Sequence, residues 1–180
     1  MSPCAECGAP DAPKSCEGLF HELLVLDYSM RAPWSPVHAV SVSCFYFQHS
    51  TRLPASVPPA FYWALLHVYL RGGLAALAPM TDRARRRNSH RHGGRAPMAG
   101  DFPGAPPFPD GVTAPTSYPT TITDVALDGT FPAEGHEDRV RLWAAGTVEA
   151  WRAGSHTRTA GSLDHKAGSL DHKAGSLHRA

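Results

Sequence analysis

Ser35-Pro-Val-His-Ala-Val-Ser-Val-Ser-Cys-Phe-Tyr-Phe-Gln-His49 is the stretch on which the fold turns. Ser35 followed by Pro36 reads as a helix start, with a capping hydroxyl and then a ring whose fixed φ suits the first helical position. From Val37 to about His49, Val40, Val42, Cys44, Phe45 and Phe47 make the segment apolar nearly all round its axis. A helix of that kind is buried, so it is expected at the centre of the molecule. The β-branched and aromatic content of residues 40–47 leaves a strand reading open behind the helical one.

Helices are expected on either side. Ser15 can cap a first one, in which Leu19, Phe20, Leu23, Leu24 and Leu26 give a broad apolar face. A third begins near Ser56-Val-Pro-Pro, carries Phe61, Tyr62, Trp63, Leu65, Leu66 and Leu70, and stops at Gly72-Gly73. Further on, Thr121 can cap a short helix with Asp124 at the capping-box position. A last helix is expected over about 134–153. There Val140, Trp143, Ala144, Thr147, Val148 and Trp151 recur on one face. The expected fold is mainly α, a small helical domain with an N-terminal Cys-rich, zinc-knuckle-like segment.

Composition sets the boundaries. Among 180 residues there are 16 glycines and 17 prolines, more than the roughly 12% of an ordinary chain. Residues 1–78 are expected to hold the Cys-rich turn and three helices, and 120–156 the C-terminal helices packing on the same core. Residues 79–119 read as an Arg/Pro-rich disordered loop, with Arg83, Arg85, Arg86, Arg87, Arg91 and Arg95 close together. Residues 157–180 repeat Ala-Gly-Ser-Leu-Asp-His-Lys with a period of seven. One Leu per copy cannot build a heptad seam, and Gly weakens a helix, so a disordered tail is expected. The net charge of +1 excludes a uniformly polybasic nucleic-acid binder and an acidic solvating chain. The longest apolar run is broken at Arg71-Gly72-Gly73, short of the ~20 residues a membrane span needs. With no secretion signal legible at the start, a cytoplasmic protein with reduced cysteines is expected.

Cys4-Ala-Glu-Cys7-Gly8 is the strongest local motif. Two residues between thiolates let one turn present both sulfurs to a tetrahedral Zn²⁺, and the glycine permits that turn. Cys16 follows at the expected first turn of a helix, where the dipole favours thiolate. A redox pair is disfavoured because no strand precedes the motif. His38, His49 and Cys44 remain open as the fourth ligand. The two histidines share a helix face but stand roughly 16 Å apart along the axis, so they cannot both bind one ion. Cys44 lies far round the helix from both and is an alternative to either.

Taken together, Cys4-x-x-Cys7-Gly8, Cys16-x-x-x-Phe20, His38-Ala-Val-Ser-Val42 and Phe45-Tyr-Phe-Gln48-His49 resemble an uncharacterised bacterial family, domain-of-unknown-function family 5946. Thr121-Ile-Thr-Asp124-Val125, His136-x-x-x-Val140-x-x-Trp143-Ala144 and Ala150-Trp151 are similar to its C-terminal pattern. The resemblance spans about 4–156, apart from the Arg/Pro-rich middle. In the family the Gln-His pair is usually followed by Pro and preceded by Asp-x-Tyr, where this chain has Ser50, Ser43 and Phe45. A third-helix His is replaced within Phe61-Tyr-Trp63, and a His-His pair appears as Ser155-His156. If those polar residues carry chemistry in the family, this chain has lost it and kept the cysteines. No family activity can be carried over.

Three functions compete. A structural zinc protein would use Cys4, Cys7, Cys16 and either His49 or His38 to pin the N-terminal segment to the core, leaving a protein partner as its cellular role. A metal-dependent, hydrolase-like enzyme would converge Gln48, His49 and His136 from several helices. His136 also reads simply as a residue packed beside Trp143. A nucleic-acid binder would combine the cysteine turn with Arg83–Arg95, but that cluster lacks interleaved aromatics. The structural reading leads.

Overall fold

Residues around Val37–Phe47 form the central helix that their all-round apolarity requires. The structure is a computed structural model and describes residues 2–87, 99–109 and 111–167. Among these residues five helices run in chain order: α1 (Cys16–Tyr28), α2 (Trp34–Gln48), α3 (Pro59–Arg87), α4 (Ile122–Val125) and α5 (His136–Ala167). Single 3-10 turns lie at Ser50–Arg52 and Ala99–Asp101. Among the described residues there is no strand, only an isolated bridge between Leu127 and Thr130. The strand alternative for 40–47 therefore gives way to helix.

Helix α2 packs against α1, α3 and α5 at once. It buries Val37, Val40, Ser41, Ser43, Cys44, Phe45, Phe47 and Gln48. Its two interior serines are tolerated in different ways: the Ser43 hydroxyl donates to the Ala39 carbonyl one turn back, at 2.6 Å, while the Ser41 hydroxyl is buried without a partner. The helix starts at Trp34, before the expected Ser35-Pro36 pair, and Pro33 stands at the cap with no side-chain bond. A tertiary anchor replaces the local cap, because the Trp34 indole N–H donates to the Phe131 carbonyl at 2.9 Å.

The other helices follow local rules more closely. Ser15 caps α1 by accepting from the Gly18 N–H at 3.1 Å. At the start of α4 the Thr121 N–H donates to the Asp124 carboxylate at 2.7 Å. Val140, Trp143, Ala144, Thr147, Val148 and Trp151 are all buried and form the inner face of α5. The expected end of the third helix at Gly72-Gly73 is instead a break inside α3, where Gly73 has φ 63° and ψ −160°. The helix resumes beyond it and runs through Pro79 to Arg87. The backbone of α5 likewise continues to Ala167, past the expected end at Ala153.

The segment read as a disordered loop meets the helical core at several residues between 102 and 118. Phe102 lies 5.1 Å, centroid to centroid, from Phe61. Phe108 packs against Phe47, Trp63 and Trp151, and the buried Tyr118 hydroxyl donates to the Phe47 carbonyl at 2.8 Å. The Trp63 indole and Arg71 bind carbonyls of Pro107 and Gly104, each at 3.0 Å. Prolines that cannot pair as a sheet still supply carbonyl acceptors and lose little entropy on ordering. Three spaced aromatics then hold the strap down. Arg91, Arg95, His172 and His178 lie outside the described residues. No helix among the described residues is long and apolar enough to cross a membrane.

Candidate metal centre

Three separate pieces of chain meet at the site. The first is the turn over residues 4–9, closed by the Gly8 N–H donating to the Cys4 carbonyl and the Cys4 N–H donating to the Ala9 carbonyl, both at 2.9 Å. Gly8 has φ 74°, and a Cβ there would come within 3.2 Å of the Thr116 carbonyl and the Ser117 backbone. Only glycine meets both demands. The second piece is the first residue of α1, Cys16, directly after the Ser15 cap. The third is His49, at the C-terminal cap of α2.

His49 is held in one orientation. Its Nδ1 lies 3.0 Å from the Phe45 carbonyl, and since only a protonated nitrogen can donate there, the neutral ring has its lone pair on Nε2. The ring stacks on Phe45, which in turn stacks on Phe20. Nε2 then lies 3.7 Å from Cys4 Sγ. Cys7 Sγ and Cys16 Sγ are also 3.7 Å apart, and the four donor atoms all lie within 4.8 Å of one another.

Those distances suit one metal ion held by all four donors. Sulfurs joined as a disulfide would be about 2.05 Å apart, and all four cysteines are free. A tetrahedral ion with bonds of about 2.3 Å to sulfur and 2.0–2.1 Å to nitrogen sets edges of about 3.8 Å and 3.6 Å. The residues present fit such an ion. Cys7, Cys16 and His49 are buried and Cys4 is partly so. The bond to Cys16 and burial push the Cys7 thiol up to about 12. A bound cation reverses that balance by stabilising the thiolate.

The remaining candidates stand elsewhere. His38 points its Nδ1 at the buried Asp27 carboxylate, 3.0 Å away. Cys44 is fully buried in the α2–α5 contact, where burial pushes its thiol far up. The Gln48 amide donates to the Thr120 carbonyl at 2.7 Å and to the Thr147 hydroxyl at 2.9 Å, binding α2 to α5 rather than facing a pocket. His136 packs between Trp34 and Phe131. Gln48, His49 and His136 thus hold three separate positions. Among the described residues, Cys4, Cys7, Cys16 and His49 are the one group of three or more His, Cys, Asp or Glu side chains arranged to hold a metal. The Phe45 carbonyl that orients His49 was not singled out from the sequence, since its one local signal is the four-residue spacing.

Fold and site together define a mainly helical domain with a Cys₃His group, able to hold a metal ion, where its N-terminal turn meets α1 and α2. The chain belongs to a family of unknown function, DUF5946, whose family model matches residues 2–152. No curated protein and no solved structure matches it.

Proposed function

We propose that Cys4, Cys7, Cys16 and His49 hold one Zn²⁺ as a closed structural centre that pins the N-terminal turn onto α1 and α2. The observation that carries this is the meeting of four soft or borderline donor atoms, from three separate segments, within 4.8 Å of one another. Three thiolates and an imidazole in tetrahedral array suit zinc over harder ions such as Mg²⁺ or Ca²⁺. Four protein ligands leave no position for water, so the ion stabilises the fold and activates nothing. The metalloenzyme alternative loses support because Gln48 and His136 are engaged or enclosed away from the cluster.

The test is zinc content by mass spectrometry on the full chain, paired with absorption of the Co²⁺-substituted protein. Sulfur-to-cobalt charge transfer reports thiolate ligands and ignores the histidines of the repeat. One equivalent is expected in wild type and His38→Ala, and loss in Cys16→Ser and His49→Ala. A wild type without the sulfur–cobalt band would sink the proposal. Retention of full metal in His49→Ala would replace His49 by another ligand or an open position.

A further inference from the structure

We propose that Glu6, Glu17 and Arg52 form a clamp that positions the four ligands, an inference resting on the metal reading above. Each member sits beside a ligand in sequence: Glu6 inside the Cys4–Cys7 turn, Glu17 directly after Cys16, and Arg52 shortly after His49. Arg52 Nη1 meets Glu17 Oε1 at 2.6 Å, and its Nε lies 3.8 Å from Glu6 Oε2. The other Glu6 oxygen accepts from the Thr51 hydroxyl at 2.7 Å and from the Thr51 N–H at 3.3 Å. One guanidinium and the adjacent threonine therefore span all three segments the centre needs.

The members are part-exposed, with Arg52 and Glu17 side chains 41% and 48% accessible, and exposed ion pairs add little to folding stability on their own. Their value lies in where they act. The turn, α1 and the end of α2 must be brought together before four ligands can bind one ion, and ordering them beforehand raises affinity by removing that cost from the binding step. Arginine suits the task because its rigid fork can serve two carboxylates at once, as a lysine ammonium on a flexible stem does not. A second effect runs alongside, since three thiolates, one imidazole and Zn²⁺ leave a net charge of −1 near which Arg52 is favourable. The two effects part at Glu6. Neutralising it loosens a clamp but relieves repulsion on an anionic centre.

The experiment is zinc competition against a chromophoric chelator on the full-length protein. Arg52→Met should weaken zinc binding about 10-fold, the low end of the range for groups that hydrogen-bond a metal ligand directly. Arg52→Lys should fail to restore it, and Glu6→Gln should weaken binding several-fold. In a Cys16→Ser background, Arg52→Met should leave the thermal midpoint unmoved. The clamp is overturned by zinc affinity within about threefold of wild type in Arg52→Met, by full rescue in Arg52→Lys, or by tighter binding in Glu6→Gln. An equal loss of thermal stability with and without Cys16 would make Arg52 merely structural. A wild type that competes for no zinc would fail the metal reading itself, before any clamp variant is compared.

Discussion

His136 is enclosed by the Trp34 and Phe131 rings, fully buried, and neither ring nitrogen has a hydrogen-bond partner. Burial, with a smaller contribution from Arg139, pulls its pKa down to about 4. An unfolded chain takes up this proton near pH 6.5 and the folded one does not, so the buried ring carries no proton-linked cost above pH 6.5. Stability is lost as pH falls from there toward 4, by about 2 kcal/mol at pH 5. The denaturation midpoint of His136→Leu should therefore drop less between pH 7 and pH 5 than that of wild type. Identical drops would refute the assignment, and any acid release of metal cancels because it is common to both proteins. The same kind of local reading separates the two histidines of α2. His38 has a carboxylate at 3.0 Å, whereas His49 has a carbonyl behind it and a sulfur in front.

The helices differ in how far their own residues specify them. α1 and α4 carry side-chain caps at the expected residues, and the buried stripe of α5 is the one its periodicity marks out. The start of α2 was not legible, because an indole bonded to the distant Phe131 overrides the Ser-Pro signal. α3 breaks where the glycine pair says it should, but the chain resumes as helix past a residue whose φ and ψ are open essentially to glycine alone. A Cβ at Gly73 meets nothing within 4 Å, so substitution there tests the backbone and not the packing. Gly73→Ala should destabilise by about 1–3 kcal/mol, read as a lowered denaturant midpoint with an unchanged slope. An unchanged midpoint would mean that the break is not a conformational requirement. Arg139 shows a different kind of support, donating to carbonyls of Val125, Pro132 and Glu134 and so fastening the loop before α5 to α4.

Across the whole molecule, a helical core of α2, α3 and α5 carries two attached layers, the proline-rich strap and the cysteine turn. The strap is held by aromatic burial and the turn, on the proposal above, by metal. Stripping zinc should then release residues 2–14 before it disturbs the core. Trypsin is expected to cut after Lys14 faster in chelator-treated protein, while tryptophan emission from the core changes little. A metal contribution of about 4 kcal/mol would lower the thermal midpoint by roughly 8–16 °C in a chain of this size. Equal cleavage rates with and without chelator would show that the turn is held by its other contacts. Helical class, the central place of α2, the caps of α1 and α4, and the Cys-x-x-Cys-Gly turn could all be read from the chain, because periodicity, capping and turn geometry act over a few neighbouring residues. The placement of His49 rather than His38 or Cys44 beside the sulfurs, the ordering of the proline strap and the contacts of Arg52 could not. Each joins residues far apart in the chain, and their distances exist only once three helices have packed at particular angles.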